Sequence, residues 1–320
     1  MKRRTILLAA PALAMTGLAM RAHAADPIRV MVPGGPAGGY DTTARQTMQA
    51  LSKAGIVNDP VQYTNRGGAG GTIGLTEFVN SSRGQDNALL FMGAIMVGGA
   101  TMNPSPVSLA DTTPLARLIV DHGAVVVPRN SPHQTLQDLL AAFKKDPGAV
   151  AIGGGSLGSV DHIALALIAK AQGVPVNKLN YLGYPSSAEV VTGLIGNRLA
   201  AAISGVAEFK QFLSNGRLRV LAVTSESCIP GIDAPTLKEA GIDVVIGNWR
   251  GVVGAPGMSA AGKARRVETF NRLSQSPAWK ETLQQQGWDD AYLSGDAFAS
   301  FLSAEVDRVG RVIKEVGLAS

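Results

Sequence analysis

Three stretches of the chain are built almost wholly of glycine and small residues: Pro33-Gly34-Gly35-Pro36-Ala37-Gly38-Gly39-Tyr40-Asp41, Asn65-Arg66-Gly67-Gly68-Ala69-Gly70-Gly71 and Gly153-Gly154-Gly155-Ser156-Leu157-Gly158-Ser159. Glycine admits positive φ and lets backbone N–H groups converge on one point. A helix that starts there adds unpaired N–H donors and the positive end of its dipole, so each stretch is a candidate anion cradle. Such turns also serve simply to pack a helix on its strand, and three in one chain favour the cradle.

Sharper chemistries fail on the residues around these loops. Gly153-x-Gly155-x-x-Gly158 has the spacing of a dinucleotide fingerprint, but the acid that should hold the ribose at the end of the next strand is missing: from Leu179–Leu182 onward none appears until Glu189, on the following helix. Gly154-x-Ser156-x-Gly158 has the spacing of a hydrolase nucleophile elbow. Its base would have to be His162, which follows by six residues on the same helix and is the last histidine in the chain. A phosphate loop would need Gly-Lys-Ser/Thr. His122, His133 and His162 lack zincin spacing, and Cys228 stands alone, so neither a metal site nor a cofactor is expected. Arg66 reads as a solvated arginine or a counter-charge. Asp41 reads as a helix cap that could also order water or accept from a ligand hydroxyl, and Asp161-His162 lies in the first turn of a helix.

The loops need strands before them and helices after them. Strands are expected at Ile28–Val32, Val61–Thr64, Ala88–Met92, Ala124–Val127, Val150–Ile152, Leu179–Leu182, Ala200–Ser204, Arg219–Thr224 and Val244–Ile246. Helices follow each glycine loop, the first through Ala44, Met48 and Leu51. Thr135-x-x-Asp138 and Thr236-x-x-Glu239 are capping boxes that open two more, and the tail from Ser259 reads as helix broken at Pro277 and Gly287. This alternation predicts an α/β fold with mainly parallel sheets. Leu115–Pro128 and Gly216–Glu226 are candidate crossovers, which would make the middle of the chain a lobe inserted into the first.

Composition is consistent with this. The 320 residues are 46% hydrophobic and 17% charged, which excludes a disordered chain. The formal charge of +5 is concentrated at the start: Lys2, Arg3, Arg4 and Arg21 lie in the first 24 residues with no acid. The remainder holds 25 Lys and Arg against 24 Asp and Glu, so no nucleic-acid footprint is expected. That basic start, the apolar run from Ile6 to Met20 and Ala22-His23-Ala24 together read as a cleaved export signal over residues 1–24. The twin-arginine and general secretory routes both stay open. Without a membrane span, or a cysteine near the cleavage site to carry a lipid, the expected location is the periplasm.

With these motifs together, the chain resembles the receptor proteins of tripartite tricarboxylate transporters, the Bug-type periplasmic solute receptors. The three loops, extended through Thr42-Thr43-Ala44-Arg45, Thr72-Ile73-Gly74 and Val160-Asp161-His162, resemble the family's loop motifs in order. Tyr181-Leu182-Gly183, Leu194-Ile195-Gly196, Pro235–Ile242 and Asn248–Gly257 fit related segments; Gly196-Asn197 and Gly183–Ser187 depart from it.

The resemblance implies a two-lobed, type II-like periplasmic binding protein fold with a ligand cleft between lobes joined by two crossovers. Lobe 1 would comprise residues 25–122 and 227–320, and lobe 2 residues 123–226. It implies a non-catalytic, monomeric receptor for a small organic carboxylate (tricarboxylate, dicarboxylate or related acid), serving two integral membrane transporter subunits. Family members hold carboxylates through backbone amides and ordered waters. Carried over, that points to Gly38, Gly39, Tyr40, Asp41, Asn65, Ala69, Gly70, Gly71, Ser156, Gly158, Ser159 and Asp161. Ser204, at a strand end in the inserted lobe, is a further candidate contact. The rival classes are a secreted serine hydrolase using Ser156 and a sensory receptor with a signalling partner.

Overall fold

The computed structural model describes residues 26–318. The export-signal residues lie outside this range.

The first half-sheet is assembled from β1 (Ile28–Val32), β2 (Val61–Asn65) and β3 (Ala88–Gly93), with α1 (Gly39–Lys53), α2 (Thr72–Ser81) and α3 (Ala94–Met102) as the intervening helices. β1 pairs in parallel with both β2 and β3. β3 is buried along its full length, as expected of a strand covered on both faces. In α1 the side chains of Ala44, Met48 and Leu51 face inward at the helical spacing expected from the sequence.

β4 (Thr113–Pro128) is the spine of the molecule. Its first part, through His122, pairs with β9 (Gly247–Gly254) and β10 (Asp289–Ser294). From Gly123 onward it pairs instead with β7 (Ala201–Gly205) and β8 (Leu218–Val223). The second half-sheet is completed by β5 (Ala151–Gly154) and β6 (Asn180–Gly183), parallel to each other, with β5 also parallel to β7. The path runs β2-β1-β3-β9-β4-β7-β5-β6, with β8 and β10 attached to β4.

Between these strands lie α4 (Leu136–Lys145), α5 (Val160–Ala171), α6 (Ser187–Ile195) and α7 (Val206–Ser214). The alternation along β4 decides which side each residue serves: Val125 and Val127 join the main core, while Ala124 and Val126 pack with Val190, Leu194 and Phe209 beneath α6 and α7. After β8 the chain returns through Thr224, whose N–H donates to Gly123 O, and through Ile246, whose N–H donates to Thr224 O. The C-terminal part adds α8 (Ala260–Gln275), α9 (Pro277–Gln286) and α10 (Gly295–Glu315).

Several local expectations change. Every strand pair that involves β4 or β9 is antiparallel, so the sheet is mixed rather than mainly parallel. The expected strand at Val244–Ile246 instead begins at Gly247, in register with His122. The Thr236–Glu239 capping box forms, with Glu239 N–H donating to Thr236 Oγ1 at 3.0 Å. It opens only a turn, because Gly241 at φ 84° reverses the chain. Thr135–Asp138 does open α4. The tail breaks at Pro277 and Gly287 as expected, but β10 intervenes before α10.

Candidate functional site

The loop before α1 and the loop before α2 stack at the carboxyl ends of β1 and β2. Asn65, the last residue of β2, locks them together: its Nδ2 donates to Gly34 O at 3.0 Å and to Asp41 Oδ1 at 3.1 Å. Asp41 Oδ2 accepts from Ala37 N–H and from Arg45 Nε, both at 2.9 Å. Burial opposes ionisation of Asp41, but the hydrogen bonds from Arg45, Ala37 and Asn65 and the Arg45 charge outweigh it and hold its carboxyl below the ordinary value. Asp41 is therefore the clasp that fixes the loop.

Both helices begin on glycine, Gly38 for α1 and Gly71 for α2, and among the described residues no side chain caps either first turn. The leading N–H groups of α1 thus remain available at the positive end of its dipole. Tyr40 is buried beside them, and its hydroxyl accepts from Met96 N–H at 3.0 Å, tying α1 to the start of α3. That burial raises the phenol's pKa well above its ordinary value.

The third glycine loop, before α5, is arranged differently. Gly155 N–H donates to Asp161 Oδ2 at 2.8 Å, Gly158 N–H to His162 Nδ1 at 3.1 Å, and His162 N–H to Ser159 Oγ at 3.3 Å. Three donors of the loop and the first turn of α5 are thereby committed. Burial lowers the His162 pKa to about 4, so the ring is a neutral acceptor, stacked 4.2 Å from Tyr181. Ser156 makes no hydrogen bond to it among the described residues, so the hydrolase elbow has no base.

These loops face one cleft of about 950 Å³. Of the sequence-derived candidates, Gly38, Gly39, Tyr40, Asn65, Ala69, Gly70, Gly71, Ser156, Asp161 and Ser204 line it. Asp41, Gly158 and Ser159 do not: Asp41 and Ser159 are buried supports, and Gly158 packs against Gly98 of α3. Arg66 pairs with Glu77 at 2.8 Å, away from the lining.

The floor holds residues that the sequence did not single out. On β9, strand alternation sends Trp249 into the α10 layer, where its Nε1 donates to Glu305 at 3.0 Å and Phe301 packs edge-on at 5.1 Å. Its neighbours Asn248 and Arg250 line the cleft instead. The Arg250 guanidinium donates to Thr43 Oγ1 at 3.1 Å, Asp121 Oδ2 at 3.3 Å and Glu208 Oε1 at 3.4 Å. It fills the space above Gly39, where a Cβ would meet Nη2 at 2.4 Å. Glu208 also accepts from Ser204 Oγ at 2.7 Å and from the Ser187 hydroxyl. Asn248 is buried, and among the described residues its Oδ1 has no partner. A buried acceptor left unpaired in a cleft wall is costly unless a ligand or water meets it.

Burial raises Asp121 to about 7, with Glu208 and Asp289 adding to the rise and Arg250 opposing it. Burial raises Asp161 to about 7 as well, reinforced by Glu208 and Asp121 and opposed by the Gly155 hydrogen bond and Arg250. An acid raised above its unfolded value stabilises the fold fully below that unfolded value, and this contribution is lost as pH rises through about 7. Urea unfolding is therefore expected to show stability falling by about 1 kcal/mol per carboxyl between about pH 6 and pH 8. Asp161→Asn should remove about half of that slope. A flat wild-type profile would contradict this account of the floor.

The sequence profile of the tripartite tricarboxylate transporter family receptor matches residues 43–318. This chain belongs to that family. The receptor is 28% identical over 300 residues to the protein BugT of Bordetella pertussis, covering 92% of this chain and 90% of BugT. A TctC solute-binding protein structure from Polaromonas, without ligand, is 28% identical with a TM-score of 0.65, covering 90% of this chain and 98% of that one. The structure of R. palustris Rpa4515 with adipate superposes with a TM-score of 0.82 at 22% identity, covering 91% and 97%. The fold is the two-lobed α/β fold of periplasmic solute-binding proteins, and family members are non-enzymatic periplasmic binding proteins. No helix among the described residues is long and apolar enough to cross a membrane.

Proposed function

We propose that this receptor captures a small organic carboxylate between its lobes in the periplasm, as a monomer, and delivers it to two integral membrane subunits of a tripartite transporter. The observation that carries this is the pair of uncapped helix starts, α1 and α2, opening on glycine loops into one cleft. Neutral N–H donors hold a carboxylate reversibly without the desolvation cost of a buried fixed cation. The adipate held by the R. palustris neighbour supports an acid as ligand. The lobes on this reading are residues 25–122 with 227–320, and 123–226; the partner exchange along β4 at His122–Gly123 supports that division. Residues 1–24 act as the export signal.

A thermal-shift panel of malate, adipate and citrate on the mature chain tests the reading. An acid at 100 times its Kd should add ~2.7 kcal/mol to stability. Absence of any shift with every acid, including those of the series below, would remove the carboxylate assignment.

A further inference from the structure

The two walls of the cleft differ in polarity, and that difference constrains the ligand. On the first-lobe side, glycine loops and uncapped helix starts present donors. On the second-lobe side three donors of the third loop and the start of α5 are already occupied: Asp161 takes Gly155 N–H, His162 takes Gly158 N–H, and Ser159 Oγ takes His162 N–H. This side also offers acceptors. Asp161, whose Oδ2 takes the Gly155 N–H, and Glu208, beside Ser204, stand on this side, and the floor strand β9 adds Asn248 Oδ1, buried and unpaired among the described residues.

The charged side chains of the lining are Asp161, Glu208 and Arg250. Arg250 is not a receptor for a free anion, because its side chain is 3% exposed and faces two carboxylates. Among the described residues no lysine or histidine lines the cleft. A second ligand carboxylate directed toward this wall would meet like charge without a free cation, whereas a hydroxyl or ammonium would find acceptors. Between the two ends the wall is apolar: Leu157 is 54% exposed and Leu182 40% exposed, and both face the cleft beside Pro185 and Val190. Large apolar side chains left open inside a cleft mark where an apolar body is covered.

We infer that the ligand carries one carboxylate, held at the first two glycine loops, an apolar body against Leu157 and Leu182, and a hydrogen-bond donor at its far end in place of a second carboxylate. This rests on the carboxylate-receptor reading and narrows it.

Matched acids test it by isothermal titration at pH 8: 6-hydroxyhexanoate and 6-aminohexanoate against adipate, and 4-hydroxybenzoate against terephthalate. In at least one set the donor-bearing acid is expected to bind about tenfold or more tightly than the diacid, as an acceptor-built wall rejects a like charge. Which of the hydroxy and amino acids binds better identifies the donor. Asp161→Asn is expected to narrow the gap by favouring the diacid, and Glu208→Gln serves the same purpose if that variant does not fold. Equal or tighter binding of the diacids, or binding confined to malate, adipate or citrate, overturns the inference and leaves the carboxylate receptor standing. Failure of all these acids to bind overturns both.

Discussion

Replacing Arg250 by methionine is expected to lower the free energy of unfolding at about pH 8 by roughly 3–5 kcal/mol, the cost of leaving buried charge without its partner. Among the described residues the guanidinium is the one cation against Asp121, Glu208 and the nearby Asp161, and both Arg250 and Asp121 are almost fully buried. Methionine matches much of the volume, so loss of charge dominates over loss of packing. At pH 6 the cost should shrink, because Asp121, already raised to about 7, rises further once Arg250 no longer opposes it and is then neutral. Adding Asp121→Asn to the methionine variant should recover much of the loss at pH 8, and the double-mutant cycle isolates the coupling. Urea titrations at the two pH values decide it. A variant within about 1 kcal/mol of wild type at both would mean that the cluster is held by something other than this guanidinium.

That cluster also marks where reading the chain alone stops. The glycine loops were legible because their signal is local: small residues between a β-rich run and an amphipathic helix. The strand and helix at Ile28–Lys53 follow directly from that pattern. Arg250 meets Asp121 across 129 positions and Glu208 across 42, and nothing local to any of the three announces the others. Asn248–Gly257 was recognisable as a motif, but its role depends on alternation along β9, with Trp249 anchored to Glu305 while its neighbours face the cleft. The third loop looked equivalent to the first two by composition. Only the structure reveals that Asp161, His162 and Ser159 occupy donors that a ligand would need. β10 was hidden for another reason. It opens on Asp289-Asp290 at an exposed edge, so it carries no apolar run, and pairing with β4 defines it.

Gly98→Ala is expected to abolish tight ligand binding while leaving the chain folded. Gly98 lies on α3, which follows β3 of the first half-sheet, and Gly158 precedes α5, which follows β5 of the second. A Cβ on Gly98 would stand 1.9 Å from Gly158 O and 3.0 Å from its carbonyl carbon. The obstacle is backbone, so no side-chain rotation relieves it; Gly158, at φ 75°, is itself tight against Met102. The lowest-cost response is for α3 and α5 to separate, which opens the cleft and moves the glycine loops away from Asp161 and Glu208. Neither half-sheet needs to repack for this, so far-UV circular dichroism and a cooperative melt should be retained. If the closed arrangement falls to a minor population of about 1%, apparent affinity for the best-binding acid drops about 100-fold. Small-angle scattering should report a larger radius of gyration, and added ligand should no longer reduce it. Gly310→Ala, in α10 with open space around its Cβ, is the matched control and should leave binding unchanged while adding up to about 1 kcal/mol of stability. Wild-type affinity in Gly98→Ala would show that the contact between α3 and the third glycine loop is not part of the liganded state.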